Sequence, residues 1–159
     1  MNDKSEGVLP SGERAKISGL DLLRGMMAGT YPRAPISVAM NFWMTRADHG
    51  SVDFAGVPSD AYLNPIGVIH GGWHATLLDT VMACAVHSTV DAGFAYTTVE
   101  MKVHYVRAIL PGGGEIRAEG RLLSRGRQIA TSEGKLFDAR GKLLAHGTET
   151  CMIFPARGA

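Results

Sequence analysis

Cysteine is scarce in this chain. Cys84 and Cys151 are the only two in 159 residues, far apart and each in an apolar stretch. That excludes a disulfide-stapled secreted scaffold, and both read as buried thiols of a reducing compartment. Charge imbalance is also lacking: sixteen Lys and Arg against fifteen Asp and Glu leave a formal net charge of +1. Nothing in that balance attracts nucleic acid or an anionic membrane surface. No apolar run approaches the ~20 residues of a membrane span. Met1 to Lys16 is polar and mixed in charge, without the apolar core of a signal peptide. There are no internal repeats and no low-complexity tracts. His70 and His74 stand at i and i+4, but two glycines lie between them and no third ligand accompanies them, so no metal is expected. What is left is a globular chain of one domain's length, expected in the cytoplasm, with no nucleic-acid and no membrane partner.

What is present is concentrated between Asn64 and Asp79. Asn64, Pro65 and Gly67 are turn formers, so this stretch begins as an irregular loop. From Trp73 the composition turns to Ala, Leu, Met and Val. Leu77, Leu78, Val81, Met82, Ala85 and Val86 recur at spacings of three and four, which predicts a helix from near Gly71 to about Val90. The first turn of a helix carries N–H groups without intrahelical partners, at the positive end of the macrodipole. At Gly71 no Cβ obstructs an approaching oxygen. Asp79 then puts a carboxylate into an otherwise apolar helix. Eight positions separate it from Gly71, about 12 Å along the axis. If both act on one atom, a second chain must supply one of them.

The remaining elements follow in order. Residues 1–16 are expected as a disordered or loosely attached tail. Ser18 caps a short helix from Gly19 to Ala28, ended by Gly29. Ile36 to Ala47 alternates like a strand, and Ser51 to Val57 is a second strand. Four strands follow the long helix: Tyr96 to Val106, Glu115 to Leu123, Arg127 to Asp138 and Lys142 to Phe154. In the first of these, strict alternation puts Val99, Met101, Val103 and Tyr105 on one face and Thr98, Glu100, Lys102 and His104 on the other. Strands joined by hairpins bury so apolar a helix only by wrapping it. The expected fold class is therefore α+β: a curved antiparallel β-sheet wrapped around one long central α-helix.

Asn64, then His70-Gly71-Gly72, then Asp79 in a long helix followed by four strands resembles the hotdog-fold thioesterases of the PaaI type. The similarity continues in Thr97-Thr98-Val99-Glu100-Met101, in Gly126-Arg127-Gln128-Ile129-Ala130 and in Gly141-Lys142-Leu143-Leu144-Ala145-His146-Gly147. It covers roughly residues 35 to 154, and implies a tail and short helix over 1–30 ahead of a hotdog domain over 31–159. The resemblance implies hydrolysis of an acyl-CoA thioester to the free acid and coenzyme A. It also implies a homodimer or homotetramer with active sites between subunits. Carried over residue by residue, the Gly71 N–H would polarise the thioester carbonyl, and Asn64 and His70 would shape the loop beside it. Asp79 of the other subunit would be base or nucleophile, and Thr98 would help place the water. Arg125, Gly126, Arg127 and Gln128 would hold the nucleotide end of coenzyme A, which is part of the substrate, so no separate cofactor is expected. Two rivals share the fold: an acyl-CoA hydratase and a non-catalytic acyl-CoA-binding domain. The acidic residue eight positions after Gly71 is the thioesterase arrangement.

Overall fold

The computed structural model describes residues 6–156. Three short helices come first: α1 (Ser11–Arg14), α2 (Gly19–Ala28) and α3 (Pro35–Ala39). They are followed by strands β1 (Phe42–Asp48) and β2 (Ser51–Gly56), the long helix α4 (Gly71–His87), and strands β3 (Phe94–Tyr105), β4 (Ile116–Arg125), β5 (Ile129–Phe137) and β6 (Leu143–Pro155). The six strands form one sheet in the order β1-β2-β4-β5-β6-β3, every neighbouring pair antiparallel. This is the architecture the sequence predicts. The sheet packs on α4, whose Leu77, Leu78, Val81, Met82, Ala85 and Val86 are fully buried. At about 1.5–3 kcal/mol for each large side chain removed from water, that face of α4 is the centre of the core. Among the described residues, no helix is long and apolar enough to cross a membrane.

A row of bare backbone brings helix and sheet together. Gly120, Gly134 and Gly147 are register partners across β4, β5 and β6. A Cβ at Gly120 would fall 2.1 Å from the Val81 carbonyl oxygen, and one at Gly134 2.7 Å from Met82 Cγ. Only glycine lets α4 lie this close to the strands.

Four expectations need correction. Ile36 to Ala47 is not one strand: Pro35 opens the short helix α3, and Asn41, at φ 52°, turns the chain into β1. Proline is preorganised for a helical first position, and that outweighs the alternating pattern. Residues 6–16 are not loose, because Gly7 N–H donates to the Arg33 carbonyl, and Ala15 is buried with its carbonyl accepting from Gly93 N–H at 2.7 Å. Residues 1–5 of that expected tail lie outside the described residues. Helix α4 stops at His87, where Ser88 turns its hydroxyl onto the Ala85 carbonyl. Finally, alternation in β3 is broken by a bulge at Val99, between Thr98 and Glu100. One extra residue reverses the parity. Thr98 therefore faces the helix, as do Met101 and Val103 beyond the bulge, while Val99 is exposed.

Candidate active site

The loop before α4 is built by Asn64. Its Oδ1 accepts from the N–H groups of Ile66 (3.1 Å) and Val68 (3.2 Å), and its own N–H donates to the Val68 carbonyl. Its carboxamide oxygen thus holds the loop in shape. His70 caps the helix: Nδ1 accepts from Gly72 N–H at 2.8 Å. A Cβ at Gly72 would stand 2.9 Å from that same Nδ1, so the cap requires glycine there. Gly71 lies between them, and its N–H has no acceptor among the described residues. The ring of Tyr105 closes one side of Gly71, where a Cβ would meet it at 3.2 Å. His74 packs edge-on to Tyr105 and its Nδ1 sits 3.4 Å from the His70 carbonyl oxygen; burial lowers its basicity. The helix start thus presents one unsatisfied donor at the positive pole of seventeen helical residues.

Two turns on, Asp79 lies half-buried and faces β3. Thr98 Oγ1 stands 3.3 Å from Asp79 Oδ1 and 2.9 Å from Oε1 of Glu149, which Cys151 Sγ also approaches at 3.0 Å. Burial pushes the Asp79 carboxyl above the usual aspartate range, and the Thr98 hydroxyl acts the other way. Burial pushes Glu149 up to about 7, against hydrogen bonds from Cys151 and Thr98. Asp79 and Thr98 open onto a cleft of about 670 Å³ that runs past Ala83 and His87 and is walled by Phe94, Phe154 and the segment around Arg14. Gly71 does not line this cleft, and α4 is one unbroken helix between the two groups. Their separation along the axis is therefore the ~12 Å expected from helical rise.

A family model described as "Thioesterase superfamily" matches residues 66–145, which include the cap, all of α4, strands β3 to β5 and the start of β6. The chain belongs to this superfamily. Human acyl-coenzyme A thioesterase 13 is 33% identical over 92 residues, covering 57% of this chain and 64% of the human protein. The match thus spans slightly less than two thirds of that relative's length. A phenylacetic acid degradation-related protein of Ralstonia eutropha JMP134 superposes with a TM-score of 0.75 at 31% identity, covering 82% of this chain and 98% of its own. A Streptococcus mutans UA159 protein solved with bound acetyl-CoA superposes with a TM-score of 0.67 at 26% identity, covering 74% of this chain and 91% of its own.

Within this thioesterase framework the other expected residues lie apart from Gly71. Arg125, Gly126, Arg127 and Gln128 form the exposed turn between β4 and β5. Gly126 N–H donates to the Ile129 carbonyl and Arg125 donates to the Gly126 carbonyl, whereas the Arg127 guanidinium has no partner among the described residues. Ile129 and Thr97 both pair with Met152, so the turn sits at the Thr98 end of the sheet. Two large side chains of α4, Trp73 and Met82, are buried core and line no acyl pocket. Phe94 lines the cleft beside Asp79, and Trp43 lines a separate apolar cavity of about 300 Å³ against α2 and β1. Sequence reasoning missed Glu149. Its signal was available in strand parity, because Ala145, Gly147, Cys151 and Ile153 of the same row all face inward.

Proposed function

We propose that this chain hydrolyses acyl-CoA thioesters at sites shared between two subunits, with neither metal nor separate cofactor. The observation that carries the reading is the Gly71 N–H, without an acceptor among the described residues, at the start of the helix that also holds the half-buried Asp79. The thioester carbonyl accepts from the Gly71 N–H of one chain. Asp79 of the other chain takes a proton from water as its oxygen bonds to the carbonyl carbon. The negative charge that develops on the carbonyl oxygen is held by the N–H and the helix pole, which are already in place before charge forms. Collapse expels the coenzyme A thiolate, which takes the proton back from Asp79. Free acid and free thiol result. A carboxylate raised by burial is a stronger base than one in water, and Thr98 fixes one of its oxygens.

The long edge strand β3 supports the two-chain reading. The twelve-residue strand β3 pairs with β6 on one side only, with Val99 bulged out, and Phe94, Val99 and Tyr105 are exposed along it. Such an edge is an aggregation hazard unless a partner covers it. Two copies paired through β3 form a homodimer with one continuous sheet, and two such dimers form a tetramer. The acyl group enters the cleft beside Asp79, and the phosphates of coenzyme A reach Arg125 and Arg127. Free Cys84 and Cys151 fit a cytoplasmic enzyme.

The test is thiol release from aromatic, short, medium and long acyl-CoAs. Release from at least one class, unchanged by chelator, is the expected result. No release from any class would leave only the binding reading. Loss in chelator with recovery on adding zinc would overturn the metal-free mechanism.

A further inference from the structure

Glu149 is the most deeply buried carboxyl of the described residues, 1% exposed, and the mechanism above does not use it. Its surroundings define its protonation state by geometry. Among the described residues Oε2 has no hydrogen-bond partner, and neither does Ser132 Oγ on the residue directly opposite it in the β5–β6 ladder. A buried carboxylate oxygen without a donor is costly, whereas the carbonyl oxygen of a neutral carboxylic acid tolerates that position far better. Oε1 is the oxygen with neighbours, Thr98 Oγ1 and Cys151 Sγ. The Thr98 hydroxyl has one proton and two carboxyl oxygens within reach, so it donates to one of them alone.

We propose that Glu149 is a positioning residue: in its neutral form it donates through Oε1 to Thr98 Oγ1, and so turns the Thr98 proton onto Asp79 Oδ1. Asp79 Oδ2, which has no partner among the described residues, is then left to take the proton of the attacking water. When Glu149 ionises, the Thr98 proton turns to the shorter, 2.9 Å contact. Asp79 then loses its fixed donor and faces a second negative charge. The groups around Glu149 leave this switch to the two carboxyls. From α4 come Asp79 and Cys84, from β3 Tyr96 and Thr98, from β5 Ser132, and from β6 Cys151. Burial pushes the Cys84 thiol up to about 12 and raises Tyr96 and Cys151 well above their ordinary values, so all three stay neutral while Glu149 titrates near 7.

The kinetic arm of the test rests on the hydrolase reading, and the spectroscopic arm does not. In wild type, kcat is expected to fall on the alkaline side with a midpoint near 7. Glu149→Gln keeps a donor at this position and cannot ionise, so that limb disappears. Glu149→Ala loses about tenfold or more in kcat, as expected for mispositioning, and Gln recovers much of it. An alkaline limb unchanged in Glu149→Gln, or a Gln variant as slow as Ala, overturns the proposal. Carbon-13 NMR titration of side-chain carboxyls in the intact wild-type chain needs neither activity nor a Glu149 variant. One glutamate carboxyl titrating near 7, with the Asp79 carboxyl sensing it, and that coupling shrinking in Thr98→Val, is the expected result. Every glutamate titrating in the ordinary range overturns the proposal. A coupled titration in a chain that releases no thiol supports the network and overturns only the hydrolase reading.

Discussion

In the proposed mechanism Asp79 carries opposite demands. As a base it must be ionised, yet its half-buried position favours the neutral form and raises it above the usual aspartate range. Activity is therefore expected above the raised value and is expected to be lost as pH falls through it. The acidic limb of kcat/KM is therefore expected to have a midpoint above the ordinary aspartate value of about 4. Thr98→Val removes the contact that opposes burial and moves that limb further up. Asp79→Asn abolishes the limb along with most of the rate, a loss of about a hundredfold or more. A wild-type limb at or below the ordinary value, measured on a substrate whose cleavage is rate-limiting, would remove burial as the source of basicity. In the proposed mechanism Asn64 and His70 act at one remove from this chemistry. Each has a side-chain acceptor occupied by backbone N–H groups of its own loop, and together they leave Gly71 as the free donor.

At the scale of elements, the turn Arg125 to Gln128 makes the prediction. Its backbone donor at Gly126 is already paired, so phosphate binding there falls to the guanidiniums, Arg127 above all. Replacing Arg125 and Arg127 with Ala is expected to raise KM for acyl-CoA, with the loss shrinking at high salt. Cleavage of a short thioester without the nucleotide is expected to stay nearly unchanged. Equal losses on both substrates would make the turn structural. The same scale shows where sequence is legible. The three-and-four spacing of Leu77, Leu78, Val81 and Met82 defines α4, and Ser18 and Gly29 bracket α2 as capping chemistry requires. The hairpin strands fall within a few residues of their expected places. Helix α3 is not legible by alternation, because five residues containing Ile36 and Val38 mimic a strand and only Pro35 signals otherwise. The side of the sheet on which Thr98 lies is set by the bulge at Val99. That bulge is a property of the pairing of β3 with β6, and neither strand's own pattern contains it. Glu149 joins the site for the same reason: the bulge turns Thr98 toward it.

At the scale of the whole molecule, the proposed site is divided between two copies of the chain. Gly71 and Asp79 are fixed to one rigid helix and kept about 12 Å apart by its rise. Neither the loop nor the bulge shortens that distance. In the proposed dimer, the exposed edge of β3 is the surface through which a second chain brings its own helix alongside. The decisive measurement is thiol release from re-formed mixtures of two inactive variants. Asp79→Asn removes the base and keeps its shape. Gly71→Val presses a side chain on the Tyr105 ring and shields the N–H. Each variant alone is expected to be nearly inactive. In a mixed dimer one site carries both defects and the other neither. Random pairing with independent sites is therefore expected to restore up to about a quarter of wild-type activity per total chain. Subunit exchange is followed separately with tagged chains. Complete exchange with activity still at the level of the separate variants would contradict a site shared across the interface.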